Sequence, residues 1–343
     1  MKKYNKIVVI GPKSIHVENF ILLIHSFFNE IVFIGEEKTD FKHITKSYTL
    51  NFHGKNPFII WKNRKKLKSI LQKENAEIVH LHSVNRVSFI VSTIINKVKS
   101  ALVTTTWGSD VLLVPKTSFI AKKMVQKVLN KSDFITADSD EMIETINELS
   151  NNENVNKVFY GIEPIKEIKK EKIIYSNRLH NPLYNIDKII DLFHNFVKNN
   201  KEWKLIIGAI GSETEKLKKQ VEDLKLTNKV EFVGWLQKED NISYYKKSLI
   251  YISIPDSDGT AVSLLEAMSA GCIPIVNDLK VSHEWIKDEK NGIIKKKNEL
   301  YVLRRAASLN QKEVSEINQS IINNKATKEI ATKEFYQIYK NIL

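Results

Sequence analysis

The stretch Ser253–Val276, SIPDSDGTAVSLLEAMSAGCIPIV, sets two carboxylates, Asp258 and Glu266, on either side of the turn Gly259-Thr260-Ala261. The run SLIYISIPDS reads as a buried strand, and AVSLLEAMSAG reads as a helix that Gly271 stops before CIPIV opens another strand. Backbone N–H groups of Thr260, Ala261 and Val262 would then emerge from a helix N-terminus, where an unsatisfied donor and the helix dipole both favour a phosphate. Glu266 falls one turn after Val262 on the same side. Its carboxylate can accept hydrogen bonds from ribose hydroxyls beside a phosphate docked above. Inside LLEAM, between apolar residues, that charge would be costly without a partner.

These residues need a scaffold, and the rest of the chain supplies the pattern of one. Short apolar runs alternate with longer amphipathic ones, which predicts an α/β protein with parallel sheets. In the first half KIVVIG (Lys6–Gly11), EIVFIG, AEIVHLH (Ala76–His82), ALVTTTW (Ala101–Trp107) and DFITADS (Asp133–Ser139) read as strands, with HVENFILLIHSFF a helix between the first two. The segment Ile165–Lys172, IKEIKKEK, loses apolar periodicity and is the expected linker. Beyond it the alternation restarts with KIIYSNRL, NIDKIIDLFHNFVKNN, WKLIIGAIG, SETEKLKKQVEDLKL and KVEFVGWL. Two doubly wound, Rossmann-like units follow, at 1–164 and 165–325, and 326–343 reads as a closing helix with Phe335, Tyr336 and Tyr339 as anchors. Two such units facing a central cleft would bind ligands at the carboxyl ends of their strands.

The segment KVEFVGWLQKEDNISYYKKSLIYISIPDSDGTAVSLLEAMSAGCIPIVND resembles the C-terminal signature of retaining glycosyltransferases of family 4, which have the GT-B architecture. Where that family carries Glu-x7-Glu, this chain reads Asp258-x7-Glu266, the first acid being one methylene shorter. The resemblance implies that Glu266 holds the ribose of a nucleotide sugar and that Asp258 lies by the donor sugar and the reacting carbon. Gly259, Thr260, Ala261 and Val262 would surround the diphosphate. YSNRLHNPLYNID (Tyr175–Asp187) resembles the loop in which the family places an Arg and a Lys on that diphosphate. Arg178 fits the first role and suits it, because its planar donor fork matches phosphate oxygens. The Lys is missing: Tyr184 and Asn185 stand near its place, and Lys188 falls inside the next helix. In the N-terminal half GPKSIHVENFI, IVHLHS and TTTWGSD resemble the family's acceptor-side strand ends. The resemblance points to His82 as a catalytic-site partner of the sugar, and to His16, Trp107 and Asp110 at the acceptor cleft. His80 is expected to bond within the sheet.

Developing negative charge on a leaving diphosphate calls for cations and N–H dipoles, which Arg178 and the helix N-terminus at Thr260 would supply. Neither DSD, at Asp138–Asp140 nor at Asp256–Asp258, stands as a metal motif at a strand end, so no metal and no cofactor are expected. The resemblance implies retention of configuration, a UDP-sugar for preference, and a glycan or lipid-linked oligosaccharide acceptor in bacterial surface polysaccharide synthesis. The departures at Asp258 and at the missing Lys leave a second class open, a non-catalytic GT-B scaffold of a membrane glycan-assembly complex. A sugar-nucleotide epimerase does not share the Asp258–Glu266 stretch, and a nicotinamide dehydrogenase would want more than Gly11 after the first strand.

Composition sets the outer bounds. With 343 residues and 42% hydrophobic content, the chain can bury a core in each of two domains. Its net charge is +13, shared almost evenly between the halves, so there is no basic tail; the balance is compatible with nucleic acid, an anionic membrane surface, phosphorylated substrates or a lysine-rich solubilising surface, and a nucleic-acid binder would leave the donor-loop residues unexplained. Basic residues do gather with apolar ones in Trp61–Leu71 and Pro115–Lys131. In the second, Phe119, Ile120, Met124 and Val128 share a helix with Lys123 and Lys127. That pattern fits either a helix lying on anionic lipid or a surface helix packing its stripe inward. No apolar run is long enough to span a bilayer, and the expected location is the cytoplasm, with peripheral contact at the inner face of the membrane. Cys272, alone, is expected to be a small buried hydrophobe.

Overall fold

The computed structural model describes residues 3–52 and 57–343. It divides into two units, Met1–Tyr160 with Lys328–Leu343, and Gly161–Thr327. The first is built on a seven-stranded sheet of β1 (Tyr4–Ile10), β2 (Phe28–Gly35), β3 (Lys46–Thr49), β4 (Ile78–His82), β5 (Ala101–Thr105), β6 (Phe134–Ala137) and β7 (Val155–Lys157). Every pairing is parallel, in the order β3-β2-β1-β4-β5-β6-β7. Helices cover both faces, so the central strands carry unbroken apolar runs instead of alternation; all five residues of β4 are buried. One face packs under Leu67, Ile90, Val128 and Ile146, the other under Phe20, Ile24, Phe335 and Tyr339.

The second unit carries β8 (Glu171–Ser176), β9 (Lys204–Gly208), β10 (Val230–Gly234), β11 (Ser248–Ser253), β12 (Ile273–Asn277) and β13 (Ile293–Lys295). Their order is β10-β9-β8-β11-β12-β13, again parallel throughout. In each sheet the winding direction reverses once, between β1 and β4 and between β8 and β11. Chains leave such a reversal toward opposite sides, which opens a crevice at the strands' carboxyl ends.

Several expected elements shift for identifiable reasons. The first helix stops at Ile24, a tight turn spans His25–Phe27, and Phe28 already belongs to β2. Pro115–Lys131 is broken at Ser118, whose hydroxyl caps a new helix, Phe119–Lys131, by accepting from the Ala121 N–H. The expected linker is neither as long nor as free as its charge suggests. Glu171 and Lys172 start β8, the Ile165 N–H donates to Ser269 Oγ, and the Lys170 ammonium is drawn inside to bond the carbonyls of Tyr245 and Ala270. Glu167 accepts from Ser315, directly over Gly271. Gly271 has φ +77°, and a Cβ there would strike that carboxylate, so two constraints fix a glycine at this helix end. The final helix, Lys328–Ile342, buries Phe335 and Tyr339 in the first unit's core and packs Tyr336 against it.

Candidate active site

In the second unit the loops after β8 and β11 flank the sheet reversal, and they carry Arg178 and Asp258. Eighty positions apart in sequence, these two side chains meet: Arg178 Nη2 lies 2.7 Å from Asp258 Oδ2. Arg178 also donates from Nη1 to Ser263 Oγ at 3.3 Å, and the Tyr184 ring covers its face, 4.4 Å from Cζ to the ring centre. Burial works against the Arg178 cation, but Asp258 and the neighbouring hydroxyls hold its pKa above the usual guanidinium value. For Asp258 burial raises the carboxyl pKa while Arg178 opposes the rise. At a 2.7 Å ion-pair distance we take the carboxylate as the form present, since an adjacent guanidinium favours the charged acid.

Gly259, Thr260 and Ala261 form the turn, and the helix Val262–Ser269 begins with Ala261 at its N-cap and no side-chain cap. The N–H groups of Val262 and Ser263 therefore have no acceptor within the helix and face the strands' carboxyl ends. Thr260 Oγ1 is fixed by the Trp285 indole N–H at 3.1 Å. A pocket lined by Ser253, Asp258, Thr260, Leu264 and Trp285 opens beside the turn. Glu266, half-buried one turn below Val262, carries its charge next to the Tyr175 and Tyr245 hydroxyls and raises the pKa of both phenols beyond what burial alone does.

Beneath the ion pair lies a polar network that sequence reading did not find. Tyr251 donates to Ser263 at 2.8 Å and to Asn177 at 3.3 Å, and Asn177 donates to Tyr245 at 2.7 Å and Asn241 at 3.0 Å. Part of the signal was present as a tyrosine, Tyr251, inside the buried strand SLIYIS, since a buried phenol needs a partner. Asp256 is occupied as well. It accepts from Asn185 Nδ2 at 2.7 Å and faces Lys188 at 3.9 Å, within the helix Ile186–Val197.

The first unit places its residues with more contrast. His80 bonds Tyr339 Oη at 2.8 Å and Thr105 Oγ1 at 2.7 Å, the in-sheet role expected of it. His82 is fully buried between Phe20, His80 and Tyr160, with Nδ1 bonded to Tyr160 Oη at 3.2 Å and Nε2 without a partner. Burial lowers its pKa to about 3, with His16 adding to the effect. Gly11 must be glycine here, because a Cβ would stand 2.9 Å from that of His82. His16 is exposed, its ring 5.6 Å from Trp107. Trp107 keeps its indole N–H buried near the Tyr160 hydroxyl, outside hydrogen-bond geometry. Asp110 is buried and committed to the backbone: Oδ2 accepts from Val84 at 2.7 Å and Oδ1 from Trp107 at 2.9 Å. It ties the loop after β4 to the loop after β5. Tyr160, absent from the sequence-derived candidates, is the group that orients His82.

Among the described residues no group of three or more His, Cys, Asp or Glu side chains is disposed to hold a metal ion. Cys272 is buried, donates to the Tyr245 and Ser248 carbonyls, and is pushed up to about 11 by burial, so it is no nucleophile.

Comparison with known proteins identifies the arrangement. Residues 6–139 match the family described as Glycosyl transferase 4-like, and residues 162–327 match Glycosyl transferases group 1. The chain belongs to the glycosyl transferases group 1 family. It is 30% identical over 206 residues to an uncharacterized glycosyltransferase of Methanocaldococcus jannaschii, covering 55% of this chain and 52% of the relative. It is 32% identical over 127 residues to the poly(glycerol-phosphate) alpha-glucosyltransferase of Bacillus subtilis, covering 37% of this chain and 18% of the relative. The chain thus spans about half or less of the curated relatives it matches. The structure of Anabaena HepE in complex with UDP and glucose has the same fold, with a TM-score of 0.83 at 12% identity over 98% of this chain and 99% of that one. The architecture is therefore GT-B, two Rossmann-like parallel-sheet domains. Tyr184 and Asp258, the two positions at which the sequence departs from the pattern that it resembles, both contact Arg178 in the structure.

Proposed function

We propose that the protein transfers a sugar, with retention of configuration, from a uridine-diphosphate donor to a glycan or lipid-linked acceptor of a bacterial surface polymer. The observation that carries this reading is the convergence of Arg178, Asp258 and the uncapped helix N-terminus at Val262 on the sheet reversal of the second unit. As the bond to the anomeric carbon breaks, charge grows on the diphosphate. Arg178 and the N–H groups of Val262 and Ser263 stabilise it where it forms. Glu266 accepts from the ribose hydroxyls and Asp258 from the donor sugar. His16 and Trp107 serve the acceptor, while Asp110 keeps the Trp107 loop in place. The reaction is read as metal-independent, with the positive charge on the diphosphate supplied by Arg178 and the helix N-terminus at Val262.

HepE was solved with UDP and glucose, which supports a UDP-sugar donor, and the Bacillus subtilis relative is named for glucosyl transfer to poly(glycerol-phosphate), which supports a surface-polymer acceptor. The first unit adds a surface for a peripheral contact with anionic lipid. Phe119 and Ile120 are 73% and 71% exposed at the start of their helix, with Lys122 and Lys123 exposed beside them. Phe58 and Trp61 are exposed in Pro57–Glu74, and Lys65 lies 3.6 Å over the Trp61 ring. Both helices cover the same sheet face with their N-termini toward the strands' carboxyl ends.

Calorimetric titration with UDP, GDP and ADP, with and without EDTA, tests the reading. One nucleotide, expected to be UDP, binds regardless of chelator, and Glu266→Ala loses the binding and the transfer. Failure of all three to bind refutes the enzyme and favours a scaffold.

A further inference from the structure

Arg178 uses its edge and its face for different partners. Its N–H groups meet Asp258 Oδ2 at 2.7 Å and Ser263 Oγ at 3.3 Å, while Cζ lies 4.4 Å over the centre of the Tyr184 ring. The tyrosine is held independently of that edge. Asn185, in the left-handed region at φ 54°, donates to the Ile254 carbonyl at 2.9 Å and to Asp256 at 2.7 Å, and the Asp256 N–H donates to the Leu183 carbonyl at 2.9 Å. The loop that presents Tyr184 is thus stapled to the end of β11, whichever anion sits on the guanidinium edge.

We propose that Asp258 is a built-in counter-ion that occupies Arg178 until the donor diphosphate displaces it, and that Tyr184 is the positioning residue that keeps the guanidinium in place through the exchange. The inference rests on the donor site proposed above. A diphosphate that binds in the guanidinium plane, where the bidentate fork lies, competes with Asp258 for Nη2. Entry of the diphosphate releases a carboxylate with no cation. A sugar attached to that diphosphate offers hydroxyl donors to the released carboxylate, and a bare nucleoside diphosphate does not. The ion pair therefore couples recognition of the two halves of the donor: it penalises the diphosphate alone and is offset when the sugar is present. Tyr184 contributes through the ring face, a contact indifferent to the exchange at the edge.

The test is calorimetric titration of UDP and of UDP-glucose into the wild type, Asp258→Asn, Tyr184→Phe and Tyr184→Leu. Asp258→Asn is expected to bind UDP about tenfold more tightly than the wild type, the scale of one hydrogen bond to a charged group. The wild type's preference for UDP-glucose over UDP should shrink in the same variant. Tyr184→Phe, which keeps the ring and loses only the hydroxyl beside Arg178, should weaken both ligands clearly less than Tyr184→Leu, which should weaken both about fivefold, as expected for a lost cation–π contact. Equal or weaker UDP binding by Asp258→Asn, with its fold verified by circular dichroism, overturns the counter-ion role. Should that variant not fold, Asp258→Ser carries the same expected sign and the same refuting result. Loss of binding in Tyr184→Phe overturns the positioning role, since the ring face is retained. If the wild type binds none of UDP, GDP or ADP, the donor site itself falls and the inference with it, an outcome distinct from UDP binding that Asp258→Asn leaves unchanged.

Discussion

Mild acid should loosen the first unit through His82. The imidazole is fully buried and its pKa is lowered from 6.5 to about 3, chiefly by burial. In the unfolded chain the group titrates near its ordinary value, so the unfolded state takes up the proton first as the pH falls. The contribution is fully present above pH 6.5 and is lost progressively between 6.5 and 3. A pH of 5 lies about 1.5 pH units below the unfolded value and still above the folded one, so the loss there is roughly 2 kcal/mol at about 1.4 kcal/mol per pH unit. His80 is shifted in the same direction by its own burial and adds to the loss. Other groups move elsewhere. Glu74 is held at about 2 by Lys46, Tyr48 and Lys6 against its burial, so it loses its partners' support only below pH 4.5. Burial raises Asp110, which acts in the opposite sense. A difference isolates the histidine. Hydrogen exchange at the β4 and β5 amides, converted to opening free energies at pH 7.5 and 5.0, should show a fall in the wild type that is smaller by roughly 2 kcal/mol in His82→Phe. An identical pH dependence in the two proteins refutes the reasoning, because a protonatable ring sealed among Phe20, His80 and Tyr160 cannot be indifferent to acid.

Phe335→Ala should remove about 3 to 5 kcal/mol, since the ring is 1% exposed and packs edge-on to Phe20 at 5.2 Å. Exchange should rise in β1 and β4 but not in β8 or β11, and uniform loosening of both units would count against the division at Tyr160. For the membrane surface, sedimentation with phosphatidylglycerol vesicles should be strong at low salt, weak in 0.5 M salt and absent with phosphatidylcholine. Phe119→Ser with Ile120→Ser should reduce it at least tenfold, and retention by that double variant would remove the lipid role from this helix.

The central strands and long helices were legible because burial on both faces writes unbroken apolar runs, as in IVHLH and LIYIS. The edges were not. Lys46–Thr49, Val155–Lys157 and Ile293–Lys295 are four, three and three residues long, too short for any period to show, and only pairing to a neighbour makes them strands. The turn after Asp258 and the helix of Glu266 could be read locally, since capping and glycine signals act over a few residues. The meeting of Arg178 with Asp258 could not, because strand order alone makes β8 and β11 neighbours. The same holds for Tyr160 on His82, 78 residues away, and for Lys170, whose charge reads as solvated linker and whose ammonium is caged by two carbonyls.

Two departures from the family pattern become one when charge is counted at the sheet reversal. A donor loop with both Arg and Lys beside a longer acid leaves surplus positive charge for a diphosphate. Here the loop brings an aromatic face instead of the second cation, and the acid lies within 2.7 Å of Arg178. Arg178 and Asp258 cancel there, and at the donor site proposed above a diphosphate would be attracted by the helix N-terminus and by exchange of the acid instead of by net charge. A site of this kind gains little from the phosphates alone. On the exchange proposed above it would discriminate in favour of a donor that brings its sugar, because only that donor gives Asp258 a new partner as it gives up the old one.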